Sequence, residues 1–241
     1  MPTGNETKVA EFISKWLSDF DLSSYILSRV PERGNLICEY PLTTGQRKLL
    51  LMSHSDVVPV ENEKKWSIDP FEAVVEDGKI WGRGSSDCKG LLASQMFAMM
   101  ILAKNKIRMN DGFSLVCGAD EEHGGRYGFG WLAANHPDKL NSPVAVNEGG
   151  GIPIKVGEGF VYSLGVGEKG RLQIEIEIEG KSSHASVPWQ GQNAMYQLSK
   201  VIQRIESYTP ERDISTSIFE HLSNFAIEHK PSIENVDEII Q

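Results

Sequence analysis

Residues 47–54, Arg-Lys-Leu-Leu-Leu-Met-Ser-His, are apolar on consecutive positions from Leu49 to Met52. A strand with one wet face alternates apolar and polar side chains, so this segment predicts a strand covered on both faces. That demand narrows the fold to a sheet sandwiched between helices. Three more segments read the same way: N-L-I-C-E-Y (35–40), G-F-S-L-V-C-G-A-D (112–120) and S-P-V-A-V-N-E-G-G-G (142–151).

The intervening segments supply the cover. Val9, Phe12, Ile13, Trp16 and Leu17 recur at helical spacing within residues 5–18, an amphipathic helix. Residues 87–104 are helical and apolar nearly all round, as in a buried helix. A further helix is expected in G-R-Y-G-F-G-W-L-A-A-N, and Asp77-Gly78 between alternating apolar positions marks a β-hairpin. The expected fold is α/β: a mixed, mainly parallel sheet flanked by helices.

The pattern changes near residue 170. R-L-Q-I-E-I-E-I-E-G (171–180) alternates strictly, which predicts a strand with one wet face, and G-Q-N-A-M-Y-Q-L-S-K-V-I-Q-R-I-E-S-Y follows as an amphipathic helix. The contrast puts a boundary at Gly167 to Gly170. Residues 1–169 then form one domain, and 170–241 form part of a second, α+β in type.

Composition excludes several function classes. With 24 basic and 33 acidic residues the net charge is −9, which repels phosphate backbones and makes nucleic acid a poor partner. No run approaches the roughly 18 apolar residues of a membrane span, and the N-terminus lacks a basic segment followed by an apolar one. The expectation is a cytoplasmic protein with no membrane partner. Cys38, Cys88 and Cys117 are odd in number and widely spaced, which fits reduced thiols better than a disulfide framework or a thiolate zinc site.

The functional signal lies where the strands stop. In open α/β sheets, ligands bind beyond the carboxyl ends of the strands. Those ends carry His54 and Asp56, then Asp120, Glu121 and Glu122, then Glu148, with Asp87 at the start of the apolar helix. Singly, each has a structural explanation. Asp87 suits a helix N-cap, the Asp-Glu-Glu run suits a solvated turn, and Glu148 suits a glycine-rich loop. His123, His136, His221 and His229 are read as structural. Together, an imidazole and several carboxylates on one sheet edge repel one another unless cations sit among them. The donor types suit zinc or a similar divalent ion. Asp56, two residues past His54 on a strand, is placed to bond the ring nitrogen that does not face metal. There is no G-x-S-x-G elbow to support a serine hydrolase.

Four motifs in order, H-S-D, G-R-G-S-S-D-C-K-G, A-D-E-E-H-G-G and N-E-G-G, together with G-K-S-S-H-A-S-V-P-W-Q-G-Q-N-A-M, resemble the family of acetylornithine deacetylase, succinyl-diaminopimelate desuccinylase, aminoacylase and the carboxypeptidase G type peptidases. The match runs from about residue 5 to 207. It implies a metal-dependent hydrolase of amide bonds in N-acyl amino acids or small peptides. It also implies two zinc ions per site, with cobalt or manganese as alternatives. His54 and Glu148 would bind one ion, Asp87 would bridge both, and Glu122 would bind the second. Asp56 would orient His54, and Glu121 would be the general base. The second domain would be a lid that makes a homodimer, with His184 reaching the partner's site to stabilise the oxyanion.

The family's chain ordinarily continues past the lid and supplies a last histidine to the second metal, whereas this sequence stops at Gln241. The alternative reading is a truncated or catalytically silent relative that binds metal or dimerises without turnover, and low or no activity is expected for the 241 residues alone.

Overall fold

The computed structural model describes residues 4–43, 45–149, 151, 153–162 and 174–239. The chain divides into two compact units, Met1–Gly149 and Gly150–Gln241. The boundary expected at 167–170 falls outside the described residues.

The first unit opens with α1 (Glu6–Ser18), then β1 (Ser24–Ser28), β2 (Gly34–Glu39) and β3 (Arg47–His54). A hairpin follows, β4 (Val74–Glu76) and β5 (Lys79–Trp81), turning at Asp77 and Gly78, both with positive φ, the conformation that Asp-Gly favours. Next come α2 (Lys89–Lys104), β6 (Gly112–Gly118), α3 (Phe129–Asn135), α4 (Pro137–Leu140) and β7 (Val144–Val146).

Five strands form one mixed sheet in the order β1-β2-β6-β3-β7. The β1-β2-β6 half is antiparallel, and the β6-β3-β7 half is parallel. β1 goes beyond the sequence reading, because only Tyr25, Ile26 and Leu27 are apolar there and no alternation announces a strand.

Both faces of the central strands are covered, as the consecutive apolar positions demand, whereas β7 is exposed along its length, unlike the covered strand expected over 142–151. On one face, Ala10, Ile13 and Leu17 of α1 and Leu92, Met96 and Met99 of α2 pack on Leu36, Cys38, Leu115 and Cys117. On the other, Leu132 of α3 packs on Ile37, Leu50 and Val116. β6 is buried along its whole length, which fixes its register against both neighbours. Cys38 and Cys117 lie in this core, and burial pushes both thiols up to about 12, so they are inert.

The second unit begins with the hairpin β8 (Pro153–Val156) and β9 (Gly159–Tyr162). The strand expected over 171–180 is corrected for its described part: residues 174–180 carry no regular strand. A strand needs a partner to pair its N–H and C=O groups, and here the only pairing among the described residues is the isolated bridge Lys181 to Gln192. The helix expected after it is α5 (Ala194–Glu206), capped by Asn193 Oδ1 accepting the Met195 N–H at 2.9 Å. A short α6 (Val236–Ile239) closes the unit.

Candidate metal centre

Parallel pairing aligns three strand ends. His54 closes β3 opposite Gly118 of β6, and Leu51 of β3 pairs with Val146 of β7. The residues just beyond β6 and β7, Glu121, Glu122 and Glu148, therefore emerge beside His54. Asp87 arrives from the turn before α2. It is not the helix cap: Cys88 occupies that position, without a side-chain cap bond.

His54 is the centre of the group and is 1 % exposed. Its Nε2 lies 3.0 Å from Asp87 Oδ1, 3.3 Å from Glu148 Oε2 and 3.8 Å from Glu121 Oε2. Donor atoms of His54, Asp87, Cys88 and Glu148 all fall within 4.8 Å of one another. This spacing lets one cation touch several donors at the 2.0–2.2 Å typical of zinc with nitrogen and oxygen. Glu122 stands outside that four-residue group, close enough to Asp87 for the two carboxylates to repel.

Asp56 lies against the ring nitrogen of His54 that faces away from Asp87 and Glu148. The ring Nδ1 of His54 is 3.0 Å from the Asp56 backbone carbonyl and 3.4 Å from its carboxylate. The carboxylate also accepts the backbone N–H of Glu121 through Oδ1 and of Glu122 through Oδ2, both at 3.1 Å. One aspartate thus grips the histidine and the acidic loop together.

The electrostatics match a cation site. Burial, then the push of neighbouring carboxylates against the opposing pull of His54, raise Glu121, Glu122 and Glu148 above the ordinary carboxylate range. Burial would depress the His54 imidazole, but bonds to Asp56 and Cys88 outweigh it and push the ring up to about 12. Asp56 is raised by burial and lowered more by its bonds to His54, Glu121 and Glu122, ending below the usual range. A divalent cation among these carboxylates would relieve their mutual repulsion.

Cys88, read from the sequence only as a reduced thiol, adjoins the site. It follows Asp87 directly, and its Sγ accepts the backbone N–H of His54 at 3.1 Å; the adjacency was the available signal. Asp120, counted above among the strand-end acids, turns away from the group to Arg33 at 3.4 Å and to the Tyr127 N–H at 3.2 Å. His184 belongs to the second unit and is exposed. Its Nδ1 lies 2.8 Å from the Ser186 hydroxyl and 3.2 Å from the Ser186 backbone nitrogen.

The model of peptidase family M20/M25/M40 matches residues 50–235, more than half of the sequence. The chain belongs to this family. Among curated M20/M25/M40 relatives, an uncharacterized metallohydrolase of Methanocaldococcus jannaschii is 34% identical over 204 residues, covering 78% of this chain and 48% of that protein. Carboxypeptidase S of Saccharomyces cerevisiae is 34% identical over 169 residues, covering 67% of this chain and 29% of the relative. The chain spans about half the length of the first of these relatives. Among solved structures, an M20 metallo-carboxypeptidase of Sulfolobus solfataricus superposes with a TM-score of 0.64 at 20% identity, covering 99% of this chain and 56% of that one. That likeness shows the M20 fold.

Proposed function

We propose that this M20/M25/M40 chain carries the metal-binding half of a hydrolase of amide bonds in N-acyl amino acids or small peptides. The observation that carries the reading is His54 Nε2 facing the carboxylates of Asp87, Glu148 and Glu121 within 3.8 Å. The donor set fits zinc, and cobalt or manganese are the alternatives.

His54 and Glu148 would hold one ion, Asp87 would bridge to a second, and Glu122 would hold that second ion. When bound, the ions lower the pKa of water and polarise the scissile carbonyl. Glu121, raised above the ordinary carboxylate range, is suited to take a proton from the attacking water and pass it to the leaving amine. Asp56 fixes the orientation of His54 and the backbone of both glutamates. His184 would donate a hydrogen bond to an oxyanion. Its proposed target is the site of a second copy, in a homodimer made through a lid spanning 170–241. The proposed compartment is the cytoplasm, and among the described residues no helix is long and apolar enough to cross a membrane.

One observation favours a second reading. Glu122 falls outside the four-residue donor group, so a chain that holds one ion tightly and turns nothing over also fits the geometry. The test is metal content per chain combined with release of free amino acid from N-acetylated amino acids and dipeptides, with added zinc or cobalt. Two ions and turnover that Glu121→Gln abolishes support the hydrolase. One ion without turnover selects the silent relative, and no bound ion overturns both.

A further inference from the structure

The segment that presents Glu121 and Glu122 is held at both ends by one side chain that touches no member of the metal group. It leaves β6 at Ala119, turns left-handed at Asp120 (φ 60°, ψ 23°), makes one tight helical turn, and turns left-handed again at Gly124 (φ 88°) and Gly125 (φ 66°). Non-glycine residues with positive φ are uncommon, and the surrounding structure has to enforce them.

Asn35 of β2 does so. It is fully buried, and its carboxamide is used on both sides. Oδ1 accepts the Ala119 N–H at 2.9 Å, at the entrance of the segment. Nδ2 donates to the Tyr127 carbonyl at 2.8 Å, at its exit, and to the Leu27 carbonyl of β1 at 3.1 Å. Asp120 completes the closure. Its Oδ2 accepts the Tyr127 N–H at 3.2 Å and its carbonyl accepts the Gly125 N–H at 2.7 Å. Arg33, which also pairs with the buried Glu6, lies 3.4 Å from the Asp120 carboxylate.

We infer that Asn35 is a positioning residue for Glu121 and Glu122, acting through the backbone at both ends of their loop. The chemistry admits few substitutes. The position needs an acceptor and two donors on a short planar group, in a place without water. Aspartate offers the acceptor and no donor, and alanine offers neither. An orphaned buried carbonyl or N–H costs about 1–3 kcal/mol, and the segment can recover it by opening toward solvent. The Asn35 side chain bonds to Leu27, Arg33, Tyr127 and Ala119 and to none of the elements carrying His54, Asp87 and Glu148, whose geometry is expected to stay.

This inference rests on the reading of Glu122 as a ligand and Glu121 as the base, and the experiment separates the two. Amide hydrogen exchange is measured on the whole chain and on Asn35→Asp and Asn35→Ala. Protection of the Glu121, Glu122 and Gly125 amides is expected to fall by about tenfold or more, that is 1.4 kcal/mol or more of local opening, while β3 and β6 stay protected. Asn35→Asp, which keeps the Ala119 bond, is expected to fall between wild type and Asn35→Ala. A double-mutant cycle in cobalt affinity then tests whether Asn35 acts through Glu122. Glu122→Gln is expected to weaken cobalt binding by about tenfold in the wild-type background and by about threefold or less in Asn35→Ala, the loss of a ligand-supporting contact being typically 10–100-fold.

Unchanged exchange at Glu121 and Glu122 in both variants overturns the inference, and so does an equal effect of Glu122→Gln in both backgrounds. If Glu122→Gln leaves cobalt binding untouched in the wild type, the ligand reading of Glu122 fails. The exchange data then still decide whether Asn35 holds the loop.

Discussion

Each donor around His54 does a job that its neighbours define. Glu148 illustrates this through pH. Burial and the nearby Asp87 carboxylate raise its pKa above the unfolded value, against the pull of His54. A carboxyl raised on folding binds more protons in the native state, so its ionisation lowers stability as pH climbs through the folded pKa. In chelator, Glu148→Gln is therefore expected to match wild type in Tm at acid pH, where the carboxyl is protonated, and to exceed it at pH above that value. In saturating zinc the sign reverses, because the variant has lost a ligand. A variant that melts below wild type in chelator across the whole range would remove Glu148 from the strained cluster. Asp56 gives the complementary case. Asp56→Ala deletes the acceptor for two backbone N–H groups, and zinc affinity is expected to drop by about 10–100-fold in a chelator competition. Asp56→Asn, which keeps one acceptor oxygen, is expected to lose less.

At the scale of elements, the sheet is legible in the sequence because burial on both faces leaves an unmistakable pattern. Leu49 to Met52 and Phe113 to Cys117 read as covered strands, and α1 and α2 cover them. Leu115 is fully buried at the junction of β2, β6 and β3, so Leu115→Ala is expected to cost about 2–5 kcal/mol in urea unfolding. A cost below about 1 kcal/mol would mean that the site collapses around the change. The carboxylate cluster was also readable, since strand ends are fixed by the same pattern. What stayed hidden follows from what patterns omit. β1 is too short and too polar at its ends to signal itself. Residues 174–180 alternate like a strand, yet alternation supplies only a face and not a partner. The hold of Asp56 on the Glu121 and Glu122 backbone, and that of Asn35 on the ends of the same loop, join segments far apart along the sequence, which residue spacing does not write.

For the whole molecule, the clustered side chains come from positions 54, 87 and 148 on separate elements: the parallel pairing of β6, β3 and β7 aligns the strand ends, and Asp87 arrives from the turn before α2. Zinc at about 100 times its dissociation constant is expected to add about 2.7 kcal/mol to the unfolding free energy of the site-bearing unit. The measurement is Tm with zinc and after a chelator, which should restore the lower value. The strand alignment also says when that stabilisation arrives. Parallel strands joined by long connections pair late, after loop-closure entropy has been overcome. A cation that needs all their ends at once finds no purchase on the partly ordered chain. Zinc is therefore expected to slow unfolding and leave refolding unchanged in a denaturant-jump experiment. Faster refolding in zinc would place the metal centre in the transition state. On this geometry a bound ion would be a latch on a finished sheet: it would govern how long the fold lasts, while the apolar strands alone would govern how quickly it is reached.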